Sequence, residues 1–328
     1  MRSILIIDSM NMFLRHFMVN QSVDSQGELI GGVLGFLKNL KYLVQDIMPS
    51  KVFIVWEQGG ACPRRKGIYP EYKANRAKQK DFQELYADEG NKFSPMLNAK
   101  NKAYQIKLLT TALNNLPVCQ LYVPEVECDD VIAYLCKNKF ETLEEEKIIV
   151  SSDKDFYQLM EDPKIKIYDL GRKKILTQEY VKEQFGISAR NITIARCLAG
   201  DTSDNITGVP GIGLKTVAKR FPELADELND YDTDWLLNKC KTLNEGKNSL
   251  KCYKDIVDNE DIIRRNWKLM FLGHSALNLA QMQRVEYRLN DFKPTTNHID
   301  YLKTFTAANI PITREIDTVS RDMKCLMF

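Results

Sequence analysis

The chain has 328 residues, a formal net charge of +2, and 44% hydrophobic and 27% charged residues, room for one large α/β domain and a smaller helical part at roughly 100 to 200 residues per domain. Its eight cysteines show no CxxC or Cys/His ligand spacing, which excludes a zinc site or disulfide frame and reads as reduced thiols in a cytoplasmic protein. The opening MRSILIID turns acidic too soon for a secretion signal, and no apolar run approaches the roughly 20 residues that cross a bilayer, so no membrane partner is expected.

A continuous apolar run over 4–7 ends at Asp8 and predicts a buried parallel strand. Helical spacing follows over 33–47, then a second buried strand over 52–56 that ends at Glu57. From 62 to about 102 the chain is polar, basic and aromatic, without strand alternation, and reads as a long crossover or lid. Between Cys62 and Lys80, Arg64, Arg65, Lys66, Lys73, Arg76, Lys78 and Lys80 are opposed only by Glu71, so that stretch repels itself unless an anion binds it. An amphipathic helix over 102–116 leads to a strand over 118–123 and a helix over 129–139 with an acid pair at its start. A strand over 147–150 runs through a turn at 151–155 into a helix over 155–160, and short strands over 165–168 and 174–176 flank Gly171. Alternating strands and helices predict a doubly wound, mostly parallel sheet flanked by helices. Beyond 177 the pattern is mainly helical, over 178–185 and 189–199. A glycine-bounded hairpin then enters a helix over 208–221, ahead of a charged, helix-prone stretch to 266 with a flexible 244–248.

Nine carboxylates fall in five blocks, mostly where a strand stops or a helix begins: Asp8; Glu57; Glu127, Asp129 and Asp130; Asp153 and Asp155; Asp201 and Asp204. Any one alone reads as a helix cap or a solvated turn. Gathered along one edge of an open parallel sheet they form a negative cup that needs cations, and hard oxygen ligands select Mg²⁺ or Mn²⁺ over zinc. Phosphodiester hydrolysis has that requirement, since paired metals ionise a water and stabilise the leaving oxygen. The three histidines, His16, His274 and His298, lie outside these blocks, which disfavours a histidine base or a nucleophilic triad.

Two further signals bear on nucleic acid. The glycine hairpin leaves backbone N–H groups free before a helix carrying Lys215 and Lys219, suited to a phosphate backbone; the plain alternative is a turn between packed helices. Arg64, Arg65, Lys73 and Arg76 interleave with Tyr69 and Tyr72, suited to a single strand held by charge and stacking; the plain alternative is a solvated loop.

The ordered set Ile4-Leu-Ile-Ile-Asp8, Tyr69-Pro-Glu-Tyr-Lys-Ala-Asn-Arg76, Glu127-Cys-Asp-Asp130, Ser152-Asp-Lys-Asp155, Gly200-Asp-Thr-Ser-Asp-Asn-Ile206 and Gly208-Val-Pro-Gly-Ile-Gly213 resembles the 5′ nuclease superfamily of flap endonucleases and 5′ to 3′ exonucleases, its bacteriophage replication members above all. The resemblance spans roughly the first 225 residues. It implies an α/β nuclease domain over 1–185 with a basic arch at about 62–102, and a helical DNA-binding region over 186–328 with a helix-three-turn-helix at about 200–221 and a C-terminal extension. It implies two Mg²⁺ ions, replaceable by Mn²⁺. One would lie on Asp8, Glu57, Glu127 and Asp129, the other on Asp129 or Asp130 with Asp153, Asp155, Asp201 and Asp204. Lys73 and Arg76 would be catalytic, at the scissile phosphate and the 5′ strand. Arg64, Arg65, Lys66, Tyr72, Gly208, Gly211, Gly213, Lys215 and Lys219 would contact DNA, with a K⁺ ion at the hairpin. One departure is Glu57, where the family carries aspartate.

The implied activity is two-metal hydrolysis at 5′ flaps and 5′ ends of duplex DNA or RNA/DNA, for primer and flap removal by a monomer, in the host cytoplasm if phage-encoded. A non-catalytic branched-DNA-binding factor with a metal site decayed at Glu57, or a single-strand ribonuclease, are the competing readings. Residues 323–328 either pack on the domain or hook a sliding clamp; a single-strand-binding protein is the other expected partner.

Overall fold

The computed structural model describes residues 2–57, 62–76, 95–141, 144–245, 250–273 and 276–327. Lys78, Lys80 and His274 therefore lie outside the described residues, as do 246–248 of the expected flexible stretch. A six-stranded sheet forms the centre, built of β1 (Ser3–Asp8), β2 (Lys51–Trp56), β3 (Cys119–Tyr122), β4 (Glu146–Val150), β5 (Ile165–Asp169) and β6 (Lys174–Leu176), in the order β3-β2-β1-β4-β5-β6. The first five run parallel, and β6 returns antiparallel along β5.

Alternation along the strands assigns the two faces. Leu5, Ile7, Ile54 and Val150 point to one side, under helices α1 (Ser9–Phe17), α2 (Gly31–Ile47) and α4 (Pro95–Leu113) through Phe13, Phe36 and Leu109. Ile4, Ile6, Val55 and Ile149 point to the other, against α5 (Cys128–Tyr134), α7 (Ile192–Ala199) and α8 (Leu214–Arg220) through Ile132, Leu198 and Val217. That both faces are covered explains why these strands read as unbroken apolar runs. The short helix α3 (Pro63–Ile68) and helix α6 (Gln178–Phe185) complete the first two hundred residues.

Most sequence-derived elements sit within a few residues of their expected ends, and the departures have local causes. The helix expected from 129 starts at Cys128 and widens into a π-helix over Leu135–Lys139. The segment after Asp153 is a 3-10 helix, Lys154–Glu161. The helix expected from 189 starts at Ile192, because the Asn191 amide bonds the Ser188 hydroxyl and the carbonyls of Asp226 and Asn229 and so holds a turn there. The charged stretch after 221 folds into α9 (Thr233–Glu245), α10 (Lys251–Asp258) and α11 (Glu260–Met270), which share the core of α7 and α8. The unassigned C-terminal part contributes α12 (Leu279–Asp291), α13 (His298–Ala307) and α14 (Arg314–Asp322). The last two return to the opposite sheet face through Phe305, Ile316 and Val319, and the tail follows with Met323 and Leu326 buried, the packing alternative of the two.

Helix α12 closes the β3 edge: Arg288 donates to the Gln120 carbonyl at 3.1 Å, Arg284 to Tyr122 at 3.1 Å and Gln281 to Pro124 at 2.9 Å. No helix among the described residues is long and apolar enough to cross a membrane.

Buried Gln158 ties the 3-10 helix to the end of α11. Its amide donates to the carbonyls of Asp155 at 2.8 Å and Met270 at 3.0 Å, and its oxygen accepts from the Leu272 N–H at 2.8 Å. Gln158→Leu strands those groups away from water and is expected to cost about 2–4 kcal/mol. Urea unfolding measures it, and a loss under about 0.5 kcal/mol would show that other contacts carry this junction.

Candidate metal centre

Strand order reverses at β1, which lies between β2 and β4, and ligand-binding groups collect beyond the carboxyl ends of strands at such a point. Asp8 leaves β1 there, Glu57 follows β2, Glu127 follows β3, and Asp153 and Asp155 follow β4. A small hairpin, β7 (Gly200–Asp201) and β8 (Ile206–Thr207), brings Asp201 and Asp204 in from α7. Asp8 caps α1 by accepting from the Asn11 N–H at 3.1 Å, and Asp153 caps the 3-10 helix by accepting from the Asp155 N–H at 2.9 Å. Capping and clustering thus coexist in the same side chains.

Glu127, Asp129 and Asp130 each offer one oxygen, and the three atoms lie within 4.8 Å of one another. The rest of the acids feel the same field. Glu57 senses Glu127, Asp129 and Asp8, while Asp155 senses Asp153, Asp129 and Asp204. Burial drives the consequence: the Glu57 carboxyl is pushed up to about 7, Asp155 to about 8, and Asp130 and Asp153 to about 6, with neighbouring carboxylates adding to the effect. Asp8 is raised too, chiefly by burial, although the Asn11 N–H and the Ser151 hydroxyl, 3.0 Å away, favour its ionised form. Burial also works against Asp201, yet the Ser203 hydroxyl and Arg196 hold it below the usual carboxylate range.

Buried cations thread through the acids. Arg65 donates to Glu127 at 2.5 Å, to both oxygens of Asp130 at 2.6 and 3.0 Å, and to Asp129 at 3.2 Å, with a further bond to the Leu269 carbonyl. The Lys73 ammonium bonds Glu127 and stands 3.9 Å from Asp204, which also accepts from Arg76 at 2.6 Å and from the Tyr72 hydroxyl at 3.1 Å. Arg196 spans Asp155 and Asp201. With Arg64 at 3.5 Å from Asp130, five cations face nine carboxylates, a formal excess of four negative charges when every acid is ionised.

Two expected DNA contacts need correction. Arg65 and Tyr72 are each 2% exposed, so neither touches a strand in this conformation. The cause is helical phase: successive side chains point about 100° apart, which turns Arg65 to the acids while Arg64 and Lys66 stay exposed. Lys215 and Lys219 are exposed on α8, beyond the turn of Gly208, Gly211 and Gly213. Gly211 has φ of +76°, the left-handed turn that glycine accepts at no steric cost. Gly208 serves packing, since a Cβ there would stand 2.4 Å from the Leu198 oxygen.

Sequence reasoning missed Arg196 and Ser151 and misread Arg65. Arg196 had a signal, a lone cation inside the apolar run Ile-Thr-Ile-Ala-Arg-Cys-Leu-Ala. Ser151 and Arg65 had none that distinguishes them from their neighbours.

Residues 3–186 match the family model described as 5′-3′ exonuclease, N-terminal resolvase-like domain. The chain is 30% identical over 236 residues to a 5′-3′ exonuclease of Buchnera aphidicola subsp. Schizaphis graminum, covering 70% of this chain and 75% of that protein. It is 34% identical over 235 residues to the flap endonuclease Xni of Shewanella pealeana, covering 71% and 82%. Longer relatives match in part: the chain spans 35% of the DNA polymerase I of Borreliella burgdorferi. Among solved structures, a flap endonuclease of bacteriophage T5 in a complex with DNA and metal ions superposes with a TM-score of 0.64 over 99% of each chain at 17% identity, a likeness of fold.

Raised carboxyl values have a definite sign. The folded state holds these protons more tightly than the unfolded state, so metal-free stability should fall as pH rises from about 4 to about 8. Within the centre the depressed Asp201 acts in the opposite direction only below its ordinary value of 3.8, and outside it His16, lowered chiefly by burial, opposes the trend near its ordinary value of 6.5 but is one group against several. Thermal melts in EDTA should therefore give a lower midpoint at pH 8 than at pH 5.5, and added Mg²⁺ should raise the midpoint more at pH 8. A flat midpoint, or an equal Mg²⁺ gain at both values, would contradict a shared acidic centre.

Proposed function

Since this chain belongs to the 5′-3′ exonuclease family, we propose that it is a structure-specific nuclease cutting phosphodiester bonds at 5′ flaps and 5′ ends of duplex DNA or RNA/DNA, for primer and flap removal. The observation that carries this reading is the acidic trio of Glu127, Asp129 and Asp130, set among six other acids; once all nine are ionised they formally exceed their cationic partners by the charge of two divalent ions. The ionised donors of the described centre are carboxylate oxygens, which fits Mg²⁺ or Mn²⁺; the Cys128 thiol beside Asp8 is held neutral by burial and donates to the Val55 carbonyl at 3.4 Å. Bound there, such ions would supply an ionised water and offset charge on the leaving oxygen. We assign Asp8, Glu57, Glu127 and Asp129 to one ion and Asp129, Asp130, Asp153, Asp155, Asp201 and Asp204 to the second. Glu57 shares the field of Asp8, Glu127 and Asp129, which supports keeping it in the set despite its extra methylene.

The cations complete the assignment. Half-exposed Arg76 reaches the rim of the cup and Lys73 lies inside it between Glu127 and Asp204, where they would meet the negative phosphate and orient the 5′ strand. Arg65 and Tyr72 act from inside, holding Glu127, Asp129, Asp130 and Asp204 in place. Arg64 and Lys66 offer charge on the exposed side of α3, and the turn of Gly208 to Gly213 with Lys215 and Lys219 would grip the duplex backbone. A K⁺ ion at that turn follows from family resemblance.

A labelled 5′-flap duplex with Mg²⁺ should be cut near the junction of single and double strand. The double change Asp153→Asn with Asp155→Asn should lower turnover by about 10³-fold or more while flap binding persists. Intact binding without cleavage by the parent protein would instead identify a non-catalytic branched-DNA factor.

A further inference from the structure

The segment 71–76 and the hairpin turn 202–205 are far apart in sequence, yet hydrogen bonds in both directions stitch them together. The Asn205 side chain donates to the Glu71 carbonyl at 2.8 Å. The Asn75 side chain donates to the Thr202 carbonyl at 2.8 Å. Between them the Lys73 N–H donates to the Asp204 carbonyl at 2.9 Å. Two of these residues, Lys73 and Asn205, have φ of +58°, a left-handed conformation that costs free energy in an L-residue and persists only where surrounding bonds fix it. The asparagine suits that conformation and the lysine does not, so it is at Lys73 that the clasp does constraining work.

The result is visible at the centre of the cup. Held left-handed, Lys73 turns back over the Tyr72 ring, 4.9 Å from its centroid, and delivers its ammonium between Glu127 and Asp204. The same turn presents Asp204 to Arg76 and Tyr72. Among the described residues both asparagine side chains donate to backbone carbonyls and neither donates to a carboxylate of the cup, and neither carries charge. Asn75 and Asn205 nevertheless occupy the motifs Tyr-Lys-Ala-Asn-Arg and Ser-Asp-Asn-Ile, whose charged members account for the chemistry and whose amides it leaves unexplained.

We propose that Asn75 and Asn205 are positioning residues that aim Lys73 at the reacting phosphate by locking the arch base onto the hairpin. The inference rests on the nuclease reading above. Misplacing a catalytic group by about an ångström can cost on the order of 10²-fold in rate, which sets the scale of the expected effect.

Steady-state cleavage of a 5′-flap duplex in Mg²⁺ tests it, with flap binding in EDTA and thermal midpoints measured in parallel. Asn205→Gly keeps the left-handed backbone and removes the donor; Asn75→Ala removes the donor on the other side. Each should lower kcat about 10- to 100-fold, with KM and EDTA binding within about threefold of the parent and a midpoint within a few degrees. In a Lys73→Ala background, Asn205→Gly should cost less than about twofold more, since a residue acting through Lys73 has little left to act on. Unchanged kcat in both variants, a loss confined to KM, or full additivity with Lys73→Ala would overturn the proposal. Unfolding of both variants would make the clasp structural and overturn it equally. A parent that fails to cut sinks the nuclease reading and this inference together, whereas a parent that cuts beside unimpaired variants sinks the inference alone.

Discussion

Mutual repulsion among carboxylates is the constraint around which this molecule is organised. Acids from five separate stretches of chain share one partly buried volume, and burial raises the free energy of every ionised one. The fold answers with guanidinium and ammonium groups placed inside the cluster. Arg65 serves three acids at once, Arg196 bridges two, and Lys73 sits between two more. Buried charges of this kind are weak sources of net stability, because desolvation cancels most of the attraction. Their value is geometric: each donor fixes where an oxygen points.

Sheet topology supplies the gathering. Parallel pairing aligns the ends of β1, β2, β3 and β4 on one edge: Asp8 pairs in register with Val55, and Ile7 with Val150, so the acids that follow these strands start side by side. The later helices then supply what strands cannot. Helix α7 carries Arg196 beneath the cup, and α11 anchors Arg65 through the Leu269 carbonyl. Residues far beyond the sheet are thus part of the support of the centre, which is why the helical segments share its hydrophobic core.

The strands, and most helices through residue 199, were legible because apolar runs and helical periodicity are properties of neighbouring residues; the helices Ser9–Phe17 and Pro63–Ile68 were not read. Most of the acids were legible for a related reason, since they stand after a readable strand or at a helix start, whereas Asp201 and Asp204 follow the helix Ile192–Ala199. What escaped depends on long-range partners. Arg64 and Arg65 are chemically identical in the sequence, and only the phase of α3 against the acids separates a solvated cation from a buried one. The helices after residue 278 were unreadable because their apolar faces are narrow and are completed by the sheet face at Phe305, Ile316 and Val319. Glycines were read as one class, yet Gly211 supplies a turn and Gly208 a close approach.

The arginine and glutamine donors that α12 lays along β3 have a consequence for the company this protein keeps. Outward carbonyls at Gln120 and Tyr122 are already engaged, which makes this edge a poor template for an extended segment from another molecule. Strand-by-strand growth into aggregates is thereby disfavoured along β3, and β6 is left as the sheet's other flank.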